Sequence, residues 1–430
     1  MSRSNSFGVG RALSKARSSS LGALTLLSML VATPATAQDM DWRRALGTPA
    51  PDGEGAASPD GLGGFHVCGY TYRNLAAPNA GSMDVWVARY TVDGHPTWIR
   101  QFGSGKVDNV FASASDGLQG VFVGGFTSGH LGTTVYGKID AWLSRLDGAG
   151  NLLWTTQFGT SLTERVDGLS PDGSGGVVAS IATEGDLGGP NAGAFDACVA
   201  RFDASGNQLW IRQFGTNDTD HTMDLVAQSG SVYVCGQTWG ALVGQSSGSA
   251  DIWLARYDLA GNQIWIRQFG SDQSDWARSV VPDGSGGIFV SGHTYGAFGG
   301  PSAGSEDVWL ARYDSSGNQL WIRQFGSNEW DSCMAAVEDG TGGVILCGDT
   351  EGDLGGLNAG EEDVWMSRFD SSGTMVWIRQ FGSRTRDFAG AACPGFAGGV
   401  FLAGSSLAEC IPGSTYDLDF DVWLARVNVH

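Results

Sequence analysis

The chain has 430 residues, a formal net charge of −20 and 67 glycines, and only 16% of its residues are charged against a usual ~25%. Its 42% hydrophobic and 10% aromatic content excludes a disordered acidic chain, and the glycines lack the G-X-Y period of collagen. With 25 Lys+Arg against 45 acids it lacks the basic footprint that phosphate backbones require, which excludes a nucleic-acid partner and favours a cationic ligand, a divalent metal or an uncharged sugar.

Residues 1–37 read as an export signal. Arg3, Arg11, Lys15 and Arg17 form a basic start, Leu21 to Ala32 a short apolar run, and Ala35-Thr36-Ala37 a cleavage site, so the mature chain is expected from Gln38. No later apolar run reaches the ~18–20 residues needed to span a bilayer. A soluble monomer is expected, secreted to the periplasm, the cell surface or the medium. Seven cysteines, Cys68, Cys198, Cys235, Cys333, Cys347, Cys393 and Cys410, show no C-x-x-C metal spacing. An oxidising compartment permits a disulfide among them, and the spacing selects no pair.

From Gln38 onward the chain repeats itself. Trp42, Trp98, Trp154, Trp210, Trp265, Trp321 and Trp377 recur every 55 or 56 residues, six of them opening a version of W-I-R-Q-F-G. Asp84, Asp140, Asp196, Asp251, Asp307, Asp363 and Asp421 each open a D-x-W-x-x-R run, with Cys198 in place of one tryptophan. Each copy reads as four short strands. In the fifth, Asp275–Val281 is strand A and Ile288–Thr294 is strand B; after a glycine-rich loop come strand C, Asp307–Asp314, a turn at Ser315-Ser316-Gly317-Asn318, and strand D, Trp321–Phe325. Four-stranded units repeated radially predict an all-β, seven-bladed β-propeller of antiparallel blades over residues 38–430. The chain starts with an orphan D strand at 42–47 and ends after a C strand, so the N-terminal strand is expected to complete the last blade and close the ring.

The motif G-x-T, then G-x-x-D-x-W-x-x-R-x-D-x-x-G and an aromatic, as in Gly292-His293-Thr294 through Asp307-Val308-Trp309 to Gly317 and Trp321, resembles the bacterial SBBP-type β-propeller repeat. The resemblance covers about residues 42–430 and implies an exported or cell-surface propeller. The chain departs from it in using Trp and Arg where the family more often has Phe and Lys. A looser likeness, in Asp258…Gly261…Trp265, is to the tryptophan-docking repeat of quinoprotein propellers, with a spacing one residue short and no quinone-binding set.

Repetition separates fold from function, because a residue present in every blade serves the blade. Thirteen of the sixteen tryptophans occupy the strand C and strand D slots and are expected in the core. Trp239, in the B–C loop of blade 4, and Trp276 and Trp330, in the D–A loops of blades 5 and 6, stand outside them. The residue inside G-x-T and the one after it vary from blade to blade, and in blades 4–6 they add His293, Tyr295, Asp349 and Glu351. These seven residues form the expected ligand face. Asp52, Asp108, Glu164, Asp220, Asp275, Asp331 and Asp387 open strand A in every copy. They read either as a calcium site or cationic socket at the channel mouth, or as local acceptors for loop N–H groups. The repeated strand C aspartates and arginines are expected to close the long loops and to join blades.

No H-E-x-x-H, nucleophile elbow or phosphate loop is present. The leading reading is a non-enzymatic exported propeller that binds a carbohydrate or surface polymer, or a protein partner, with calcium as its one candidate cofactor. The alternatives are a secreted carbohydrate-active enzyme using His293 or His221 with Asp275 or Asp331, and a structural surface scaffold.

Overall fold

A computed structural model describes residues 40–132, 134–395, 398–407 and 420–429. The expected export signal 1–37, Cys410 and His430 lie outside the described residues. Seven four-stranded antiparallel sheets, with no helix among the described residues, form the seven blades. The inner strand A of each blade packs on that of the next, and Asp387–Pro394 of blade 7 packs on Asp52–Pro59 of blade 1, so the ring closes. Met40–Leu46 supplies the outer strand of blade 7 by pairing with Phe420–Asn428, Arg44 opposite Leu424 and Leu46 opposite Val422. Blade 5 runs Asp275–Pro282, Ile288–Thr294, Asp307–Tyr313 and Gln319–Phe325, within two residues of the strands expected from the sequence.

The repeated residues build the joints between blades. Trp86, Trp142, Trp253, Trp309, Trp365 and Trp423 of strand C are fully buried between sheets. The strand D tryptophans reach outward instead: Trp98, Trp154, Trp210, Trp265 and Trp321 donate their indole N–H to a C–D turn carbonyl of the following blade at 2.9–3.1 Å. The strand C arginines share that acceptor. Arg89 donates to Gly148 O at 3.1 Å and Arg312 to Ser371 O at 2.8 Å, while their other nitrogens pair with Asp60 and Asp283. One acceptor thus fastens two neighbours, and the arginines are inter-blade clamps. The strand C aspartates accept the strand D glutamine amide and a loop N–H, as Asp307 does from Gln324 and Ala303, which holds the B–C loop shut. Six cysteines are buried and unbonded.

The turn that meets each strand D tryptophan needs glycine twice over. Gly150 sits at φ +77°, and a Cβ there would lie 2.7 Å from the Trp98 ring. Gly150→Ala is therefore expected to cost about 2–4 kcal/mol, from left-handed strain plus overpacking. Urea unfolding reads this directly, and a loss under about 0.5 kcal/mol would mean that ring and turn part freely.

Candidate functional site

One tier of the propeller varies while the rest repeats. The second residue of strand A pairs across the sheet with the variable residue of strand B: Gly53 with Tyr70, Arg165 with Ala182, His221 with Gln237, Trp276 with His293, Phe388 with Ser405. Large faces small in blade 1, where a Cβ on Gly53 would lie inside the Tyr70 ring. Trp276 is thus a strand A residue and not a loop residue, because the strand starts one position earlier, at Asp275. Trp239 and Trp330 lie beyond the strands, Trp330 in a parallel bridge with Glu306.

In blades 4–6 this tier becomes a continuous row. Phe195 and His221 lie 5.0 Å apart between ring centroids; His221 meets Trp239 edge-on at 5.8 Å, and Trp239 meets Trp276 edge-on at 5.6 Å. Trp276 lies 6.0 Å from His293, and His293 Nδ1 is 3.6 Å from a Glu306 carboxylate oxygen. Glu306 accepts the Trp330 indole N–H at 2.7 Å and the Tyr295 hydroxyl. Of the seven ligand-face residues, Trp239, Trp276, His293, Tyr295 and Trp330 therefore come together, joined by Glu306. Asp349 is buried, 2% exposed, where it accepts the Ala389 N–H of blade 7 at 2.6 Å. Glu351 is exposed, with its backbone N–H on Trp330 O at 2.9 Å.

Several polar atoms of this row are buried without partners: His221 Nδ1, Gln237 Oε1, Trp276 Nε1, Arg278 Nε and Glu306 Oε1. Buried polar groups in folded proteins are nearly always bonded to protein or to ordered water, so these atoms are ones that a water or another group would satisfy. Burial lowers the His221 pKa to about 4 and holds His293 well below its ordinary value, so both imidazoles are neutral at pH 7. The Asp275 oxygens are held by Ser271 and Thr294, and Asp331 by Ser327 and Thr350. Neither histidine bonds either aspartate among the described residues, and the acid–base pairs that the enzyme alternative requires are not assembled.

Beside the row opens the axial channel, a cavity of about 490 Å³ lined by all seven A strands. Six of these strands carry a β-bulge, a register slip that leaves one residue without a cross-strand partner and re-aims its side chain. The residues skipped, Gly55, Phe111, Asp167, Met223, Arg278 and Gly390, are the first to line the channel in their blades. They differ in chemistry from blade to blade. Sequence reasoning passed over them, although they occupy the one strand A position where glycine, aromatic, acid, thioether and base alternate.

The seven strand A carboxylates are engaged by their own loops. Each accepts the N–H of the residue four before it, at 2.5–2.8 Å, in the series Thr48 to Asp52, Ser104 to Asp108, Thr160 to Glu164, Thr216 to Asp220, Ser271 to Asp275, Ser327 to Asp331 and Ser383 to Asp387. The threonine ending strand B adds a hydroxyl, as Thr127 does to Asp108. Buried and turned into their own loops, they are D–A loop clamps. No group of three or more His, Cys, Asp or Glu stands where it could hold a metal among the described residues. Calcium and a chelator are expected to give the same melting temperature within about 1 °C; calcium stabilisation of several degrees would restore the metal reading.

A beta-propeller repeat model, SBBP, matches residues 264–299. The chain carries the SBBP repeat. The matched SBBP stretch runs from strand D of blade 4 into the B–C loop of blade 5 and contains Trp276, Arg278, His293 and Tyr295. The chain is 28% identical over 219 residues to the regulatory protein FlaEY of Caulobacter vibrioides, a match covering 46% of this chain and 23% of that protein's length. Among solved structures, the WD40 beta-propeller domain of Doa1 aligns over 90% of this chain and 96% of its own at 10% identity and a TM-score of 0.47. YCF48, solved bound to D1 peptide, aligns over 90% and 97% at 11% identity and 0.47. No helix among the described residues is long and apolar enough to cross a membrane.

Proposed function

We propose that the chain is an exported binding protein without catalytic activity, whose SBBP propeller presents the channel mouth at blades 4–6 to a carbohydrate or cell-surface polymer. The observation that carries this is the Trp239–Trp276–His293 row with its unpartnered buried donors and acceptors. The indole faces of Trp239 and Trp276, both partly exposed, give a sugar ring apolar contact, and the exposed Tyr295 adds a hydroxyl. The rigid ring behind them keeps these groups in place before a ligand arrives, which lowers the entropic cost of binding. The neutral, buried histidines suit recognition better than proton transfer near pH 7.

Screening the purified protein on an array of oligosaccharides and polysaccharides tests the reading. Trp276→Ala with Trp239→Ala is expected to weaken a hit by at least about tenfold, because a buried aromatic anchor contributes upward of ~1.5 kcal/mol. A hit that survives both changes would move the site elsewhere. Turnover of a bound saccharide would replace binding with catalysis.

A further inference from the structure

Arg278 differs from every other arginine in the propeller. It occupies the bulge of blade 5 strand A and is the only Lys, Arg or His lining the axial cavity. Its guanidinium carbon lies 5.7 Å from the Trp276 ring centroid. It forms no hydrogen bond and no ion pair with any described residue, and its Nε is sealed from water without an acceptor. The acids within reach of its field are committed elsewhere: Glu306 to Trp330 and Tyr295, and Asp349 to the Ala389 N–H. Of the three acids lining the cavity, Asp167 is held by Arg165 and Thr222 and Asp224 by Ser279 and the Val280 N–H, while Glu338 is exposed on strand A of blade 6 and forms no ion pair with Arg278. The nearest opposite charge, Glu306, forms no ion pair with it, so the half-buried guanidinium keeps open donors that an incoming anion would take up.

We propose that Arg278, with the Trp276 indole beside it, is the seat of a sugar carboxylate, and that the ligand of this face is an acidic saccharide containing uronic-acid residues. The inference rests on the saccharide reading above and narrows its ligand class. A guanidinium offers two parallel N–H donors to a carboxylate, and the Trp276 ring stands 5.7 Å from the guanidinium carbon. With Arg278 the one basic side chain among the described residues that line the cavity, recognition of an anion there falls to direct pairing with its guanidinium. A sugar, with apolar ring faces next to its carboxylate, fits a site in which the cation sits against a row of indoles.

Titration of the purified protein with tri-galacturonate and with the neutral galactose trisaccharide, followed by calorimetry, tests the proposal. Wild type is expected to prefer the acidic sugar by at least about tenfold, and Arg278→Met to erase that preference while neutral binding persists. Arg278→Lys keeps the charge without the paired donors and should retain only part of it. The free Arg278→Met protein is expected to melt no lower than wild type, since it loses an unpaired charge. An Arg278→Met variant that keeps the preference would overturn the proposal, as would a fall in its melting temperature of more than roughly 5 °C, which would make Arg278 structural. Equal binding of the two sugars would refute the carboxylate seat and leave the saccharide reading standing. Failure of both to bind at about 10 mM would refute both.

Discussion

Removing residues 40–46 is expected to abolish the cooperative fold at room temperature or to lower its melting point by more than about 10 °C. The segment is the fourth strand of blade 7, and its loss bares the edge of Phe420–Asn428 in the same step that opens the ring. Its one large aromatic, Trp42, packs 6.2 Å from Phe65 of blade 1 and 6.2 Å from Phe401 of blade 7, and donates its indole N–H to Val92 O of blade 1 at 2.9 Å. Trp42 thereby repeats, across the closure, the joint made by Trp98, Trp210 and the others between consecutive blades. Asp41 adds an ion pair to Arg426. A fully buried tryptophan is worth ~3–5 kcal/mol on truncation, an upper bound for the partly buried Trp42, and domain stabilities run to only ~5–15 kcal/mol. Trp42→Ala alone should take a large part of what the deletion takes. A deletion that melts within about 2 °C of the full chain would show a ring that stays closed without its N-terminal strand.

The second large effect is on the pH dependence of stability. Burial pushes Glu54 up to about 7, Asp224 to about 6 and Asp349 to about 8, and Asp349 also feels the charges of Glu54 and Glu362. All three lie between blades, with Asp224 accepting the Val280 N–H and Asp349 that of Ala389. Their folded pKa values stand above the unfolded ones, so the folded state holds extra protons from about pH 4 to 8. Stability from these groups is therefore greatest at low pH and is lost as pH rises through the folded values, by up to ~1.4 kcal/mol per pH unit for each proton. His66 and His221, lowered by burial to about 4, and His293, lower still, act in the opposite sense, losing stability as pH falls from about 6.5 to 4. Above about pH 6.5 only the acids remain in play. The urea midpoint should peak near pH 6 and fall toward pH 9, and Asp349→Asn should flatten the upper limb. A midpoint that rises from pH 6.5 to 8.5 would mean that these carboxylates are ionised in the fold.

What could be read from the sequence divides along the repeat. A position occupied alike in seven copies announces its role, and Arg312, Asp307 and the closing strand at Trp42 all do in the structure what the repeat suggests, while the strand D tryptophans, expected in the core, bridge to the next blade instead. The strand A carboxylates showed the limit of that logic, because an invariant acid at a channel mouth fits a metal ring and a loop clamp equally well. The direction of the side chain separates the two, and Asp275 faces its own loop, accepting from Ser271 and Thr294. The candidate site is legible in part. Trp239, Trp276 and Trp330 stand out as departures from the repeat, but Trp276 lies in strand A rather than in the D–A loop, and Asp349, expected on the ligand face, is buried between blades. Arg278 and Glu306 escaped notice. A bulge leaves no mark in a β-pattern beyond one residue out of phase, so nothing in the periodicity said that position 278 turns toward the axis.

The most direct test of the account is an indole N–H spectrum of the ¹⁵N-tryptophan-labelled protein during titration with an oligosaccharide. Trp276 Nε1 is buried without an acceptor and Trp239 stands edge-on to it, so both signals should move together, with Trp330 following through Glu306. Trp86, Trp142, Trp253 and Trp309, sealed in the blades, should stay where they are. Shifts confined to the strand D tryptophans of the outer rim, or a spectrum unchanged by a sugar that binds, would place the ligand away from blades 4–6 and contradict the account.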